Sequence, residues 1–245
     1  MTAPALLVIA HGSRDPRHAA TVHALCERVR AARPDVRVET GFLDHCAPRV
    51  PQAIDRLAAE GVRELVALPL LLTRAFHAKT DIPSVLREAA GRHRGVTVRQ
   101  AAVLGPSALL TAAMERRLAE AGVQAAERGT TGVVLASAGS SDPEAVAVIA
   151  SLAREWQRTG WAAVRPADPS STSDAVAALR AEGVRRVAVV PYVLAPGVLP
   201  DRIARGAAGA DFLAPVLGDA AEVARLVLSR YAACARGFLP VRRAA

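Results

Sequence analysis

Leu57-Ala58-Ala59-Glu60-Gly61-Val62-Arg63 recurs 122 residues later as Leu179-Arg180-Ala181-Glu182-Gly183-Val184-Arg185, and the same offset carries Pro69 onto Pro191 and Leu72 onto Leu194. Working outward from this pair, Gly12-Ser13-Arg14-Asp15-Pro16 meets Gly139-Ser140-Ser141-Asp142-Pro143 at an offset of 127, and Val103-Leu104-Gly105 meets Val216-Leu217-Gly218 at 113. One such match alone is weak, but three anchors in the same order mark a tandem duplication. The joint falls near 125–130, so the expected organisation is an N-terminal lobe over 1–125 and a C-terminal repeat over 130–245.

Within the first copy, residues 6–10, 36–43, 65–72 and 96–104 are apolar or β-branched runs, and segments of helical spacing at 17–32, 50–59, 82–90 and 107–121 lie between or after them. Near-continuous apolar strands separated by helices read as βαβ units, whose parallel sheet is covered on both faces. The predicted fold is therefore α/β: two similar lobes, each a parallel sheet of about four strands flanked by helices, facing each other across a cleft. Ligands of such sheets sit beyond the carboxyl ends of the strands.

With 51% apolar and 22% charged residues, the 245-residue chain can bury a large core and is neither disordered nor fibrous. Three cysteines without a close pair argue against a disulfide framework or a cysteine zinc site and fit a reducing cytoplasm. No apolar run has the length of a membrane span, and the N-terminus lacks a signal-peptide core. The net charge is +8, nearly all of it arginine, with Lys79 the only lysine. An anionic partner and the arginine–alanine drift of a GC-rich genome explain that excess equally well. The scatter of the basic residues, with only two Trp, two Tyr and four Phe for stacking, argues against nucleic acid as the partner. A small polyanionic ligand remains.

The duplication also serves as an internal control. Features kept by both halves have structural explanations: Gly12 and Gly139 suit a sharp turn after a strand, and Asp15-Pro16 and Asp142-Pro143 read as a helix N-cap followed by proline. Glu60-Gly61 and Glu182-Gly183 read as helix ends with a left-handed glycine. Features kept by one half are candidates for chemistry. All six histidines lie in the first half; His11 is matched by Ala138, and the region of His77 by Val198-Leu199-Pro200.

His11 follows the first predicted strand, Asp44 the second and His77 the third, so all three emerge at one sheet edge if the strands neighbour one another in a flavodoxin-like order. Two imidazoles and a carboxylate suit a borderline metal or acid–base chemistry. A lone histidine after a strand is more often a hydrogen-bonded loop residue, and only their convergence favours His11 and His77 together. Asp44 could equally cap the turn before Pro48. His45 could take its place, except that neighbours on an extended chain point opposite ways. Cys46 reads as packing, and His18, His23 and His93 stay unassigned.

At His11-Gly12-Ser13-Arg14-Asp15-Pro16, Phe42-Leu43-Asp44 and Pro69-Leu70-Leu71-Leu72-Thr73-Arg74-Ala75-Phe76-His77-Ala78-Lys79-Thr80-Asp81-Ile82-Pro83, the chain resembles the class II tetrapyrrole chelatases of the CbiX/SirB group. These sirohydrochlorin chelatases insert cobalt, iron or nickel without ATP. The resemblance covers both halves, with the motifs confined to the first. It implies that His11 and His77 are the catalytic, metal-contacting pair and that Asp44 stands where the family usually has glutamate, near metal or substrate. It further implies that Ser13, Arg14, Leu72, Thr73, Arg74, Ala75, Phe76 and Lys79 line the substrate. The divalent metal, Co2+ or Fe2+ with Ni2+ as a further candidate, is then a substrate. No organic cofactor is expected, sirohydrochlorin is the partner, and a monomer is preferred because the duplicated chain carries both lobes. Three rival classes stand beside this reading. A non-catalytic metal or tetrapyrrole carrier would use the same pocket. A phosphate transferase or mutase with His11 as nucleophile is disfavoured by Ala10, where such sites carry arginine. A structural protein leaves the one-sided histidines unexplained.

Overall fold

The computed structural model describes residues 3–73 and 80–238. The chain packs as two compact units, one formed by Met1–Gly105 with Ala224–Ala245 and the other by Pro106–Val223.

In the first unit, strands β1 (Ala5–Ala10), β2 (Val38–Phe42), β3 (Glu64–Pro69) and β4 (Thr97–Gln100) form a parallel sheet in the order β2-β1-β3-β4. Helices α1 (Pro16–Ala32), α2 (Val50–Ala59) and α3 (Ile82–Gly91) alternate with the strands. Central β1 is buried along its whole length, as a strand covered on both faces must be. Its Leu7 and Ile9 pack with Val50, Ile54 and Leu57 of α2 and with Ile82 and Leu86 of α3. Leu6 and Val8 alternate onto the opposite face. Edge strand β4 is four residues long and largely exposed, and the apolar run 96–104 outlasts it because Ala101, Val103 and Leu104 are buried past its end.

The second unit repeats the plan. Strands β5 (Thr131–Ser137), β6 (Ala163–Ala167), β7 (Arg186–Tyr192) and β8 (Phe212–Leu213) run parallel in the order β6-β5-β7-β8. Its helices are α4 (Ala108–Glu120), α5 (Pro143–Gln157), α6 (Thr172–Ala181) and α7 (Val198–Gly206). Val134, Ala136, Val187 and Val189 pack there with Val176 and Leu179 of α6 and Ile203 of α7. The predicted architecture of two four-stranded parallel sheets with flanking helices is thus the observed one.

The repeated heptapeptide ends a helix in the same way in both units. Gly61 (φ 87°) and Gly183 (φ 82°) are left-handed, Val62 N–H donates to the Leu57 carbonyl at 3.0 Å, and Val184 N–H donates to that of Leu179 at 3.1 Å. Gly61 and Gly183 N–H donate to Ala58 and Arg180 carbonyls at 3.0 Å, which completes two Schellman motifs.

The compact units and the sequence repeat do not share boundaries. Whereas the sequence repeat predicts a division into 1–125 and 130–245, packing breaks the chain after Gly105 and returns Ala224 onward to the first unit. Helix α4 finds its partners in the second unit: Glu115 accepts from the indole N–H of Trp156 at 2.6 Å and of Trp161 at 3.1 Å, and Arg117 donates to the Leu217 carbonyl at 2.8 Å. Helix α8 (Ala221–Ala235) is anchored in the first, where Arg230 donates to the carbonyls of Val103 and Leu104, both at 3.0 Å, and the Tyr231 hydroxyl to that of Pro4 at 2.6 Å. Among the described residues no helix is long and apolar enough to cross a membrane.

Candidate active site

The carboxyl edge of the first sheet is built by carrying the β1–β2 ladder past the strand ends. Leu43 N–H donates to the Ala10 carbonyl at 3.0 Å and Asp44 N–H to the His11 carbonyl at 2.7 Å. His11 and Asp44 therefore meet through the backbone. The adjoining Gly12 has φ 92°, and a Cβ on it would lie 1.7 Å from the Asp44 carbonyl oxygen, so only glycine fits where the two loops touch. The Ser13 hydroxyl accepts from Asp15 N–H at 3.1 Å, and Asp15 caps α1 by accepting from Arg17 N–H at 2.9 Å ahead of Pro16. The Cys46 thiol, expected only to pack, donates to the Ser13 carbonyl at 3.2 Å and ties the two loops a second time.

His11 is exposed, with Nδ1 3.2 Å from the Gly12 carbonyl. A carbonyl only accepts, so Nδ1 carries the proton of this contact and the lone pair of a neutral imidazole falls on Nε2, the nitrogen suited to bind a metal or take a proton. Asp44 accepts from His45 N–H at 2.8 Å and from Arg49 Nη1 at 2.8 Å. These bonds, the backbone one foremost, hold its carboxyl below the ordinary carboxylate range. His45 has φ 60°, a strained left-handed conformation that brings its Nε2 within 3.3 Å of the Asp44 carboxylate. The rule that neighbours point apart holds for extended chain, and His45 is not extended.

One residue near His11 escaped the sequence reading. His18, in the first turn of α1, is half-buried, and its Nδ1 has no hydrogen-bond partner among the described residues. Burial lowers its pKa, and the nearby His11 lowers it further, against an opposing pull from Asp15. A spacing of one residue in a helix and one in a strand-end loop carries no periodic signal, so only the tertiary structure places them within electrostatic reach of each other. His23 and His93 have ordinary roles: His23 stands edge-on to Phe42 with centroids 5.8 Å apart, and His93 Nε2 lies 2.7 Å from Asp55.

Of the other predicted site residues, exposed Arg14 sits on the His11 loop, and half-buried Leu72 and Thr73 follow β3, whose end joins the same edge through Leu70 N–H donating to the Ile9 carbonyl at 2.8 Å. Arg74, Ala75, Phe76, His77 and Lys79 lie outside the described residues. Among the described residues no group of three His, Cys, Asp or Glu side chains is placed to hold a metal.

In the second unit Ala138 replaces His11, while Gly139 (φ 81°) and the Asp142 cap, which accepts from Glu144 N–H at 3.0 Å, are kept. Asp168 follows β6 as Asp44 follows β2, but the N–H and hydroxyl groups of Ser170 and Ser171 enclose it. The second copy retains the turn scaffold without the imidazole.

A doubled βαβ chain whose first sheet edge alone presents a histidine and a carboxylate on apposed loops defines a two-unit α/β protein with one chemically equipped unit. The model of the CbiX family matches residues 5–121 and 132–234, and the chain belongs to that family. It is 28% identical over 208 residues to a sirohydrochlorin cobaltochelatase of Priestia megaterium, a match covering 81% of this chain and 66%, just under two thirds, of that protein. A sirohydrochlorin ferrochelatase of the same organism is 27% identical over 205 residues, covering 81% of this chain and 76% of the relative. Among solved structures, SirB from Bacillus subtilis with Fe3+ superposes with a TM-score of 0.81 at 25% identity, over 96% of this chain and 98% of that one.

Proposed function

We propose that this protein inserts a divalent metal, cobalt or iron, into sirohydrochlorin without ATP, at the carboxyl edge of its first sheet. The observation that carries the proposal is the clamp between the His11 and Asp44 loops, which presents an imidazole and an ionised carboxylate at one strand end. Family membership and the names of the relatives support the substrate class.

Insertion replaces two pyrrole protons by one dication, so the site must take protons, help strip water from the metal and let the product go. A neutral imidazole does the first two, since its lone pair binds borderline metals and accepts protons near neutrality. His11 is the principal proton acceptor and metal contact, and His77 the second. Asp44 keeps negative charge beside them. Two or three ligands with open positions release a metal that a closed four-ligand cage would retain. Arg14, Arg74 and Lys79 hold macrocycle carboxylates by charge-assisted hydrogen bonds. Leu72 and Phe76 press on the ring face, while Ser13, Thr73 and Ala75 line the pocket. The chain acts as a monomer, and its free thiols at Cys26, Cys46 and Cys234 suit a reducing cytoplasm.

The test is anaerobic turnover of excess sirohydrochlorin with Co2+, Fe2+ and Ni2+, followed by absorbance. His11→Ala and His77→Ala should each lose at least about 100-fold in rate while keeping the parent circular dichroism. Parent-like rates in both variants would remove the site assignment, and stoichiometric binding without turnover would favour the carrier reading.

A further inference from the structure

Arg49 is the N-cap residue of α2, where side chains that accept hydrogen bonds are preferred and a guanidinium, having only donors, cannot cap. The helix start is served by Gln52 instead, whose side chain accepts from Arg49 N–H at 2.8 Å. Helix capping thus gives no reason for arginine here. The guanidinium uses a single nitrogen: Nη1 donates to Asp44 Oδ1 at 2.8 Å and to the Leu43 carbonyl at 2.5 Å. Nε and Nη2 have no partner among the described residues, and the side chain is 43% exposed. This leaves an anchored, solvent-reachable donor edge beside Asp44, whose own backbone is bonded to His11. Asp44 keeps the His45 N–H bond whatever else Arg49 holds.

We infer that Arg49 is a substrate-binding residue, taking one carboxylate of a polycarboxylate macrocycle on its Nε/Nη2 edge while Nη1 stays on Asp44. A planar guanidinium matches a carboxylate in two parallel hydrogen bonds, which an ammonium cannot reproduce. Because Nη1 is already fixed, little side-chain freedom is lost on binding. The inference rests on the chelatase reading for the identity of the ligand.

The experiment compares binding of metal-free sirohydrochlorin and of its fully esterified form to the parent, Arg49→Ser and Arg49→Lys, by tetrapyrrole absorbance. Serine supplies a capping hydroxyl that offsets the lost bonds to Asp44 and Leu43, so Arg49→Ser should keep the parent circular dichroism. Its Kd for the free acid should rise about ten-fold, with Arg49→Lys in between, and its Kd for the ester should stay at the parent value. An unchanged Kd for the acid, or an equal loss for acid and ester, overturns the assignment. If the parent binds sirohydrochlorin but inserts no metal, the chelatase reading fails while the Arg49 result still stands or falls on these affinities. A parent that does not bind sirohydrochlorin overturns both.

Discussion

Gly12 concentrates the constraints of the site in one residue. Two independent penalties meet there, a left-handed φ and a Cβ position inside the van der Waals shell of the Asp44 carbonyl. Gly12→Ala should therefore cost at least about 2 kcal/mol in urea unfolding and abolish insertion, since the β2 loop must move away from His11. Parent-like activity in this variant would mean that the loop contact is dispensable. In the second unit Asp168 offers a cleaner electrostatic case. Hydrogen bonds from Ser170 and Ser171 lower its pKa, so near the ordinary carboxylate value of about 3.9 the unfolded chain binds more protons than the folded one. Its contribution to stability is present above that value and fades as pH falls through the lower, folded pKa. Asp168→Asn should melt below the parent at pH 6, and the gap should narrow toward pH 3; a constant gap would mean that Asp168 titrates alike in both states. The motif residues were legible in the sequence, because glycine, aspartate–proline and strand-end histidine each carry a local reason. His18, Arg49 and the turned-back His45 were not, since each depends on a partner or dihedral with no sequence signature.

At the scale of elements, the two Schellman ends provide a comparison within one chain. No atom lies within 4 Å of a Cβ placed on Gly61 or Gly183, so alanine meets only the left-handed backbone penalty. Gly61→Ala and Gly183→Ala should each cost about 1 kcal/mol, and should cost the same. Unequal losses by chemical denaturation would show that the surroundings, not the shared cap, set the price. Elements were the most legible level. Helix α2 spans the predicted 50–59, and β1 and α1 differ from 6–10 and 17–32 by one residue at the start. The exceptions are β3 and β4, which end at 69 and 100 although the apolar runs reach 72 and 104, because Leu70, Ala101, Val103 and Leu104 are buried in the loops past the strand ends.

For the whole molecule, helix membership decides what a half-chain can do. A fragment of residues 1–125 contains the full first repeat but lacks α8, whose Arg230 and Tyr231 tie it to Val103, Leu104 and Pro4 in the first unit. It also carries α4 away from Trp156 and Trp161, the only tryptophans of the chain. The 1–125 fragment should therefore have reduced helicity and no cooperative melt by circular dichroism; a cooperative fold would mean that α4 can replace α8. By itself the sequence determined the duplication, the parallel α/β units, the caps and the candidate histidine, because periodicity, turn chemistry and repeated anchors are local properties of a chain. The tertiary structure alone decided which unit each helix completes, which donors hold Asp44 and that Arg49 stands beside it, because these depend on side-chain pairings between residues distant in sequence or on loop dihedrals that no spacing rule encodes.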